Sequence, residues 1–285
     1  MLLLWTVATS ALAMPAAPLP AAARIMCLGD SITLGVGGGG YREPLANLLQ
    51  QHDGGDWDYV GPMYANGGKH AGYNGWTIKQ ILTVAERDLS VHQPTHVLLM
   101  AGTNDFFFLG DPKSPDGPSE ALLMHPLPAL SFSDAALMSS RGAGGNATDG
   151  VARMTELLGL IFHTLPKSTV ILSGVTHINA TLCAQYSKAP WHPPNCPASM
   201  PTNIATYNDR MVAVVQGMRQ AGREVWFHDP NCNRTDARAC TDSDKSTWSD
   251  GDYFTYGIHF SANGYAKMAA QWHQALSPHL APDAQ

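Results

Sequence analysis

The 285-residue chain is short of charge. Lys, Arg, Asp and Glu together make up 14% of it, against about 25% in an average globular protein. The net charge is −6 and no basic block occurs, which argues against nucleic acid and against an anionic membrane surface as partners. No internal run of apolar residues reaches the roughly 20 needed to span a bilayer. The 12 histidines and 5 cysteines nowhere fall into the Cys/His spacing of a zinc site, so neither a metal nor a cofactor is expected. The glycine-rich run Leu34-Gly-Val-Gly-Gly-Gly-Gly40 is not a dinucleotide cradle. A serine precedes it, and no acidic residue follows a second strand at the place that motif requires. What is present is ordinary for a folded domain: 45% hydrophobic residues and 8% aromatics. Plentiful glycine (27) and proline (20) predict long, shaped loops.

The first 13 residues form a short apolar stretch ending in Ala-x-Ala, and a Pro/Ala-rich piece follows as far as Ala23. This pattern predicts a signal peptide and short linker over 1–23, secretion, and a single domain over 24–285. Neither a repeat nor a linker divides the rest. The cysteines fit an extracellular setting. Cys183 and Cys196 bracket one loop and Cys232 and Cys240 another, so the preferred bridges are Cys183–Cys196 and Cys232–Cys240, although sequence cannot fix connectivity. Cys27, inside an apolar run, is expected to be a free, buried thiol. Asn146, Asn179 and Asn233 head glycosylation sequons. A monomer is expected.

Apolar runs at 25–28, 57–60, 95–101, 169–172 and 224–227 read as buried strands. Between them, helical spacing of apolar residues appears from Glu43, over 77–89, over 149–165, over 203–220 and after His259. Strands alternating with helices predict a five-stranded parallel sheet covered on both faces. Residues 106–145 break that rhythm. So long a loop is expected to be a lid, a binding surface or partly disordered, and Phe106-Phe-Phe-Leu109 either packs it down or lines an acyl groove. Tyr73, Trp76 and Trp191 are candidate sugar-stacking aromatics, though each serves equally well as packing.

Four polar clusters fall where strands end or helices begin: Gly29-Asp30-Ser31, Gly75, Gly102-Thr103-Asn104-Asp105 and His259. Ligands of open α/β sheets bind at the carboxyl ends of the strands. A hydroxyl, an imidazole to take its proton, and donors for a developing negative charge are what serine-based acyl transfer requires. In this order they resemble the SGNH (GDSL-like) hydrolase superfamily over nearly the whole mature chain. Finer detail (Arg24-Ile-Met-x-Leu-Gly-Asp-Ser-Ile-Thr33, Gly72-Tyr-Asn-Gly-Trp-Thr-Ile78, His259-Phe-Ser-Ala-Asn-Gly-Tyr265) is most similar to carbohydrate esterase family three, the acetyl xylan esterases. The resemblance implies a flavodoxin-like three-layer α/β/α sandwich and no metal. It implies Ser31 as nucleophile and His259 as base. The oxyanion hole would comprise the N–H groups of Ser31 and Gly75 and the side chain of Asn104, and the substrate would be an acetylated polysaccharide or another small ester.

The last block of that family normally carries Asp three residues before the histidine, and Tyr256 stands there. That acid holds the imidazole tautomer and stabilises the imidazolium. Three arrangements answer its absence: a substitute carboxylate, Asp252 or Asp250; a dyad oriented by a backbone carbonyl or the Tyr256 hydroxyl; or a weakened enzyme that mainly binds carbohydrate. A lipase or phospholipase on the same scaffold is the other alternative.

Overall fold

Along each central strand, alternate side chains enter two different apolar layers, as a sheet covered on both faces demands. The computed structural model describes residues 22–53, 56–107, 147–186, 199–232, 248–254 and 257–280. The strands are β1 (Ala23–Gly29), β2 (Trp57–Tyr59), β3 (Met63–Ala65), β4 (Gly68–Gly72), β5 (His96–Met100), β6 (Thr169–Ser173) and β7 (Val225–His228). The described helices are α1 (Ser31–Leu34), α2 (Arg42–His52), α3 (Ile78–His92), α4 (Thr103–Phe107), α5 (Ala147–Thr164), α6 (Ala180–Tyr186), α7 (Met200–Gln220) and α8 (Ala262–Leu276). Met26, Leu28, Val97, Leu99, Val170 and Leu172 face the layer of α3, α5 and α7. Ile25, Cys27, Leu98, Met100 and Ile171 face α2 and α8. Each such side chain fully withdrawn from water contributes about 1.5–3 kcal/mol, which is why these runs fold as strands of one sheet.

The order across the sheet is β3-β4-β1-β5-β6-β7, with β2 also paired to β1. All five expected strands form, but the sheet has seven, a correction to the five-stranded prediction. The additional pair is the antiparallel hairpin β3–β4. Its strands, Met63-Tyr-Ala65 and Gly68-Lys-His-Ala-Gly72, are too short and too mixed to give an apolar run. The signal was the turn instead: Asn66-Gly67 has φ of 47° and 89°, the left-handed pair that a tight hairpin favours. One edge of β1 is then shared. β2 pairs with Ala23–Ile25, and β4 pairs with Leu28 and Gly29. It is therefore β4, unread in the sequence, that delivers the Gly75 loop.

Gly29 ends β1 because nothing larger fits. A Cβ there would lie 2.0 Å from the Met100 carbonyl oxygen and 2.4 Å from Thr33 Oγ1. Its absence lets α1 turn back over the end of the sheet immediately after the strand.

Candidate active site

Register brings the first three clusters to one place. Gly29 pairs with Gly72 on one side and with Met100 on the other. The segments that follow (Asp30-Ser31, Tyr73–Trp76 and Gly102–Asp105) therefore leave the sheet side by side, and Tyr73 N–H donates to Gly29 O at 2.8 Å. His259 arrives from far along the chain. Its neighbour Phe260 forms a parallel bridge with Gly37, and Gly38 N–H donates to Phe260 O at 2.9 Å. The glycine run is what permits this: a Cβ on Gly38 would lie 2.3 Å from Ala262 N. Its function is to receive the backbone of the His259 loop.

Ser31 is the first residue of α1 and is 3% exposed. Asp30 caps the helix, Oδ1 accepting from Ile32 N–H at 3.0 Å. At the other end of α1, the buried Arg42 guanidinium donates to the carbonyls of Thr33 and Leu34, and at 2.6 Å to Ala65 O. One buried cation thus ties the nucleophile's helix to the β3–β4 hairpin. Ser31 Oγ lies 2.8 Å from His259 Nε2. Burial pushes the His259 imidazole down to a pKa of about 4, so the ring is neutral near pH 7. With Nε2 unprotonated, the Ser31 hydroxyl donates to it, the geometry that proton transfer from a serine to a histidine needs.

A pH dependence follows from this burial. Below the pKa of His259 the ring is protonated and accepts nothing, so kcat/KM falls as pH drops through that value. The acid limb is expected near pH 4, as His259 is placed, rather than at the roughly 6.5 of an exposed imidazole. A kcat/KM profile on a small acetyl ester measures it, and a midpoint near 6.5 contradicts the assignment.

The donors have equally specific supports. Gly75 has φ +75°, and no atom lies within 4 Å of where its Cβ would be, so open space adjoins its backbone. Ser31 N–H, at the first turn of a helix, has no intrahelical acceptor by construction. The Asn104 side chain donates from Nδ2 to Trp76 O at 2.9 Å, which fixes the amide and leaves its second N–H for a ligand. Asp105 links the pieces: Oδ2 accepts from Ile78 N–H at 2.9 Å and Oδ1 from Arg153 Nε at 2.7 Å. Burial raises the Asp105 pKa, while Arg153 opposes the rise. Burial likewise lifts Asp30 to about 7, with the Asp105 charge adding to it. Arg42 and Arg153 are further supports outside the four polar clusters. For the two arginines the sequence offered no signal, since a buried guanidinium looks like any other. Asp105 stood in view beside Asn104.

The two carboxylates offered as triad acids are engaged elsewhere. Asp252 Oδ2 accepts from Ser249 N–H at 2.7 Å, Ser249 Oγ at 2.9 Å and Lys267 Nζ at 2.6 Å. Burial would raise its pKa, but these donors outweigh it and hold the carboxyl below its ordinary value. Its backbone oxygen accepts from Ser261 N–H at 2.9 Å, so Asp252 braces the start of α8 behind His259. Asp250 Oδ1 accepts from Asn179 Nδ2 at 2.6 Å. Tyr256, Trp191, Cys196, Cys240, Asn146 and Asn233 lie outside the described residues, as do the segment 1–21 and most of the 106–145 insertion. Cys27 is free and buried. Phe106 belongs to the core, edge-on to Tyr207 at 5.3 Å, so it packs rather than lines a groove. Tyr73 and Trp76 stack on each other at 4.5 Å, and the Tyr73 hydroxyl donates to Asp88, which gives this pair a packing role. Among the described residues no helix is long and apolar enough to cross a membrane, and no group of three or more His, Cys, Asp or Glu is arranged to hold a metal ion.

A serine held against a neutral imidazole at the edge of a flavodoxin-like sandwich, with glycine and asparagine loops beside it, defines an SGNH-type serine hydrolase. The chain belongs to the GDSL-like lipase/acylhydrolase family, whose model matches residues 27–267. A multidomain esterase of Ruminococcus flavefaciens is 30% identical over 188 residues, which are 53% of this chain and 24% of that protein. The chain thus spans about a quarter of that relative's length. Among solved structures, a family 3 carbohydrate esterase of Clostridium thermocellum is 25% identical with a TM-score of 0.60, covering 91% of this chain and 97% of that one. A family 3 carbohydrate esterase of Talaromyces cellulolyticus shares the fold at 17% identity and a TM-score of 0.56, covering 90% of this chain and 98% of that one.

Proposed function

We propose that the protein is a secreted esterase that removes acetyl groups from carbohydrate, acetylated xylan being the model substrate, through an acyl-enzyme. The observation that carries the reading is the 2.8 Å contact between Ser31 Oγ and His259 Nε2, beside the open space at Gly75. His259 takes the hydroxyl proton as Ser31 Oγ attacks the acetyl carbonyl carbon. The N–H groups of Ser31 and Gly75 and the Asn104 amide receive the oxyanion. Its collapse expels the sugar oxygen, which leaves with the proton from His259. Water, deprotonated in turn by His259, then cleaves the acetyl-serine to acetate and free Ser31. The choice of acetyl rests on the likeness to the family 3 esterases and on Phe106, which is spent in the core rather than in an acyl groove.

In this reading neither Asp252 nor Asp250 is the acid behind the ring, supported by the commitment of Asp252 to Lys267 and of Asp250 to Asn179. The single domain over 24–285, the leader over 1–23, a monomer, the bridges Cys183–Cys196 and Cys232–Cys240, and glycans at Asn146 and Asn233 belong to the same proposal. Two assays test it: initial rates on nitrophenyl esters of increasing acyl length, and acetate release from acetylated xylan. A peak at acetyl with acetate release is expected. A peak at butyryl or longer, with no acetate released, would assign the site to a lipase.

A further inference from the structure

We infer that Asn179 is a positioning residue for His259, and that its Asn-Ala-Thr sequon carries no glycan in the active enzyme. This rests on the Ser31–His259 reading above. The base sits in a loop that begins at the 3₁₀ turn Asp250–Asp252 and returns to α8 through Gly257 and Phe260. Asn179, at the end of the segment that leaves β6, touches this loop at two points. Its Nδ2 donates to Asp250 Oδ1 at 2.6 Å. Its backbone N–H donates to Gly257 O at 2.8 Å, two residues before the base.

The fit at the second point is close. Gly257 has φ +68°, and a Cβ on it would lie 2.4 Å from Asn179 O. The remaining polar atom of the side chain is also used, Oδ1 accepting from Leu182 N–H at 3.0 Å as the cap of α6. Asn179 therefore joins two points of the loop, Asp250 and Gly257, to the segment that follows β6. That segment is itself held by Asn208, whose Oδ1 accepts from Val175 N–H and whose Nδ2 donates to Val175 O, both at 2.9 Å. A displacement of about 1 Å at a catalytic group costs up to about a hundredfold in rate, so a brace on this loop acts on turnover. The same nitrogen is the one a glycan would occupy. A sugar on Nδ2 would have to share it with a carboxylate 2.6 Å away, between the two elements that the contact joins.

Three variants separate this role from a structural one. Asn179→Asp keeps the cap on Leu182 but sets two carboxylates against each other. Asp250→Asn keeps a donor and an acceptor across the gap. The double variant restores them with the direction reversed. The expected pattern is kcat lowered by about ten- to a hundredfold in Asn179→Asp with KM changed less than about twofold, near-normal kcat in Asp250→Asn, and recovery of most of the loss in the double variant. Normal kcat in Asn179→Asp, or no recovery in the double variant, overturns the proposal. Should Asn179→Asp fail to fold, peptide mapping of active protein secreted from a glycosylating host decides instead. An unmodified Asn179 is expected, with Thr181→Ala, which removes the sequon alone, as active as the parent. A glycan on Asn179 in fully active enzyme refutes the inference. Ser31→Ala is run alongside: if it stays active, the catalytic reading itself is wrong, whereas an inactive Ser31→Ala beside a normal Asn179→Asp removes only this inference.

Discussion

Ser31→Ala is expected to lower kcat on an acetyl ester by about 10⁴- to 10⁶-fold while the protein folds normally, the range set by nucleophile removal in serine hydrolases. The size follows from the geometry. On the proposed mechanism Ser31 supplies the oxygen that forms the acyl bond, and alanine has none to offer. The fold is spared because the change removes one hydroxyl from a residue that is 3% exposed, and helix α1 keeps its Asp30 cap and the Arg42 contacts at its far end. Two measurements check it: turnover on a nitrophenyl acetate, and the mass increment after an active-site phosphonate, which labels the parent at Ser31 and leaves the variant unlabelled. Turnover within tenfold of the parent, on the order of what a non-catalytic serine costs, removes Ser31 from the mechanism.

The second large effect is a contrast between two residues of one loop. His259→Ala is expected to cost about as much as Ser31→Ala, since the two act as one unit. Asp252→Asn is expected to leave kcat within about tenfold of the parent, although loss of a working triad acid costs about 10⁴. What Asp252→Asn loses is its ion pair with Lys267 and its bonds to Ser249. That loss appears as about 1–2 kcal/mol of stability, the size of a capping interaction. Turnover and a denaturant titration on the same preparations separate the outcomes. A loss of about 10⁴ in kcat for Asp252→Asn would make it the third catalytic member and end the reading that it only braces the loop.

What could be read in advance divides along physical lines. Apolar runs such as Ile25–Leu28 and Val97–Met100 announce buried strands because burial on both faces requires continuous apolarity. Ser31, Gly75, Asn104 and His259 stand out in the sequence because the proposed chemistry restricts which residue types serve, and the fold brings their segments to one end of the sheet. The β3–β4 hairpin does not stand out, since five short residues such as Gly68–Gly72 owe their strand to pairing with β1 rather than to their own composition. Arg42 was opaque for a related reason. Nothing in a single position says that a guanidinium will be buried among backbone carbonyls. For Asp252, proximity in sequence to His259 says nothing of direction: its carboxylate accepts from Lys267, 15 residues on.

The bridge between the glycine run and Phe260 has a consequence for how activity appears during folding. Ser31 and His259 lie 228 residues apart, and Gly38 bonds to Phe260 across a similar separation. Contacts of such long sequence separation are the slow ones to form. On the proposed reading, esterase activity therefore reports that this long-range contact has formed. During refolding it should lag the helical signal, because every earlier assembly of β1 with its neighbours presents a serine with no base.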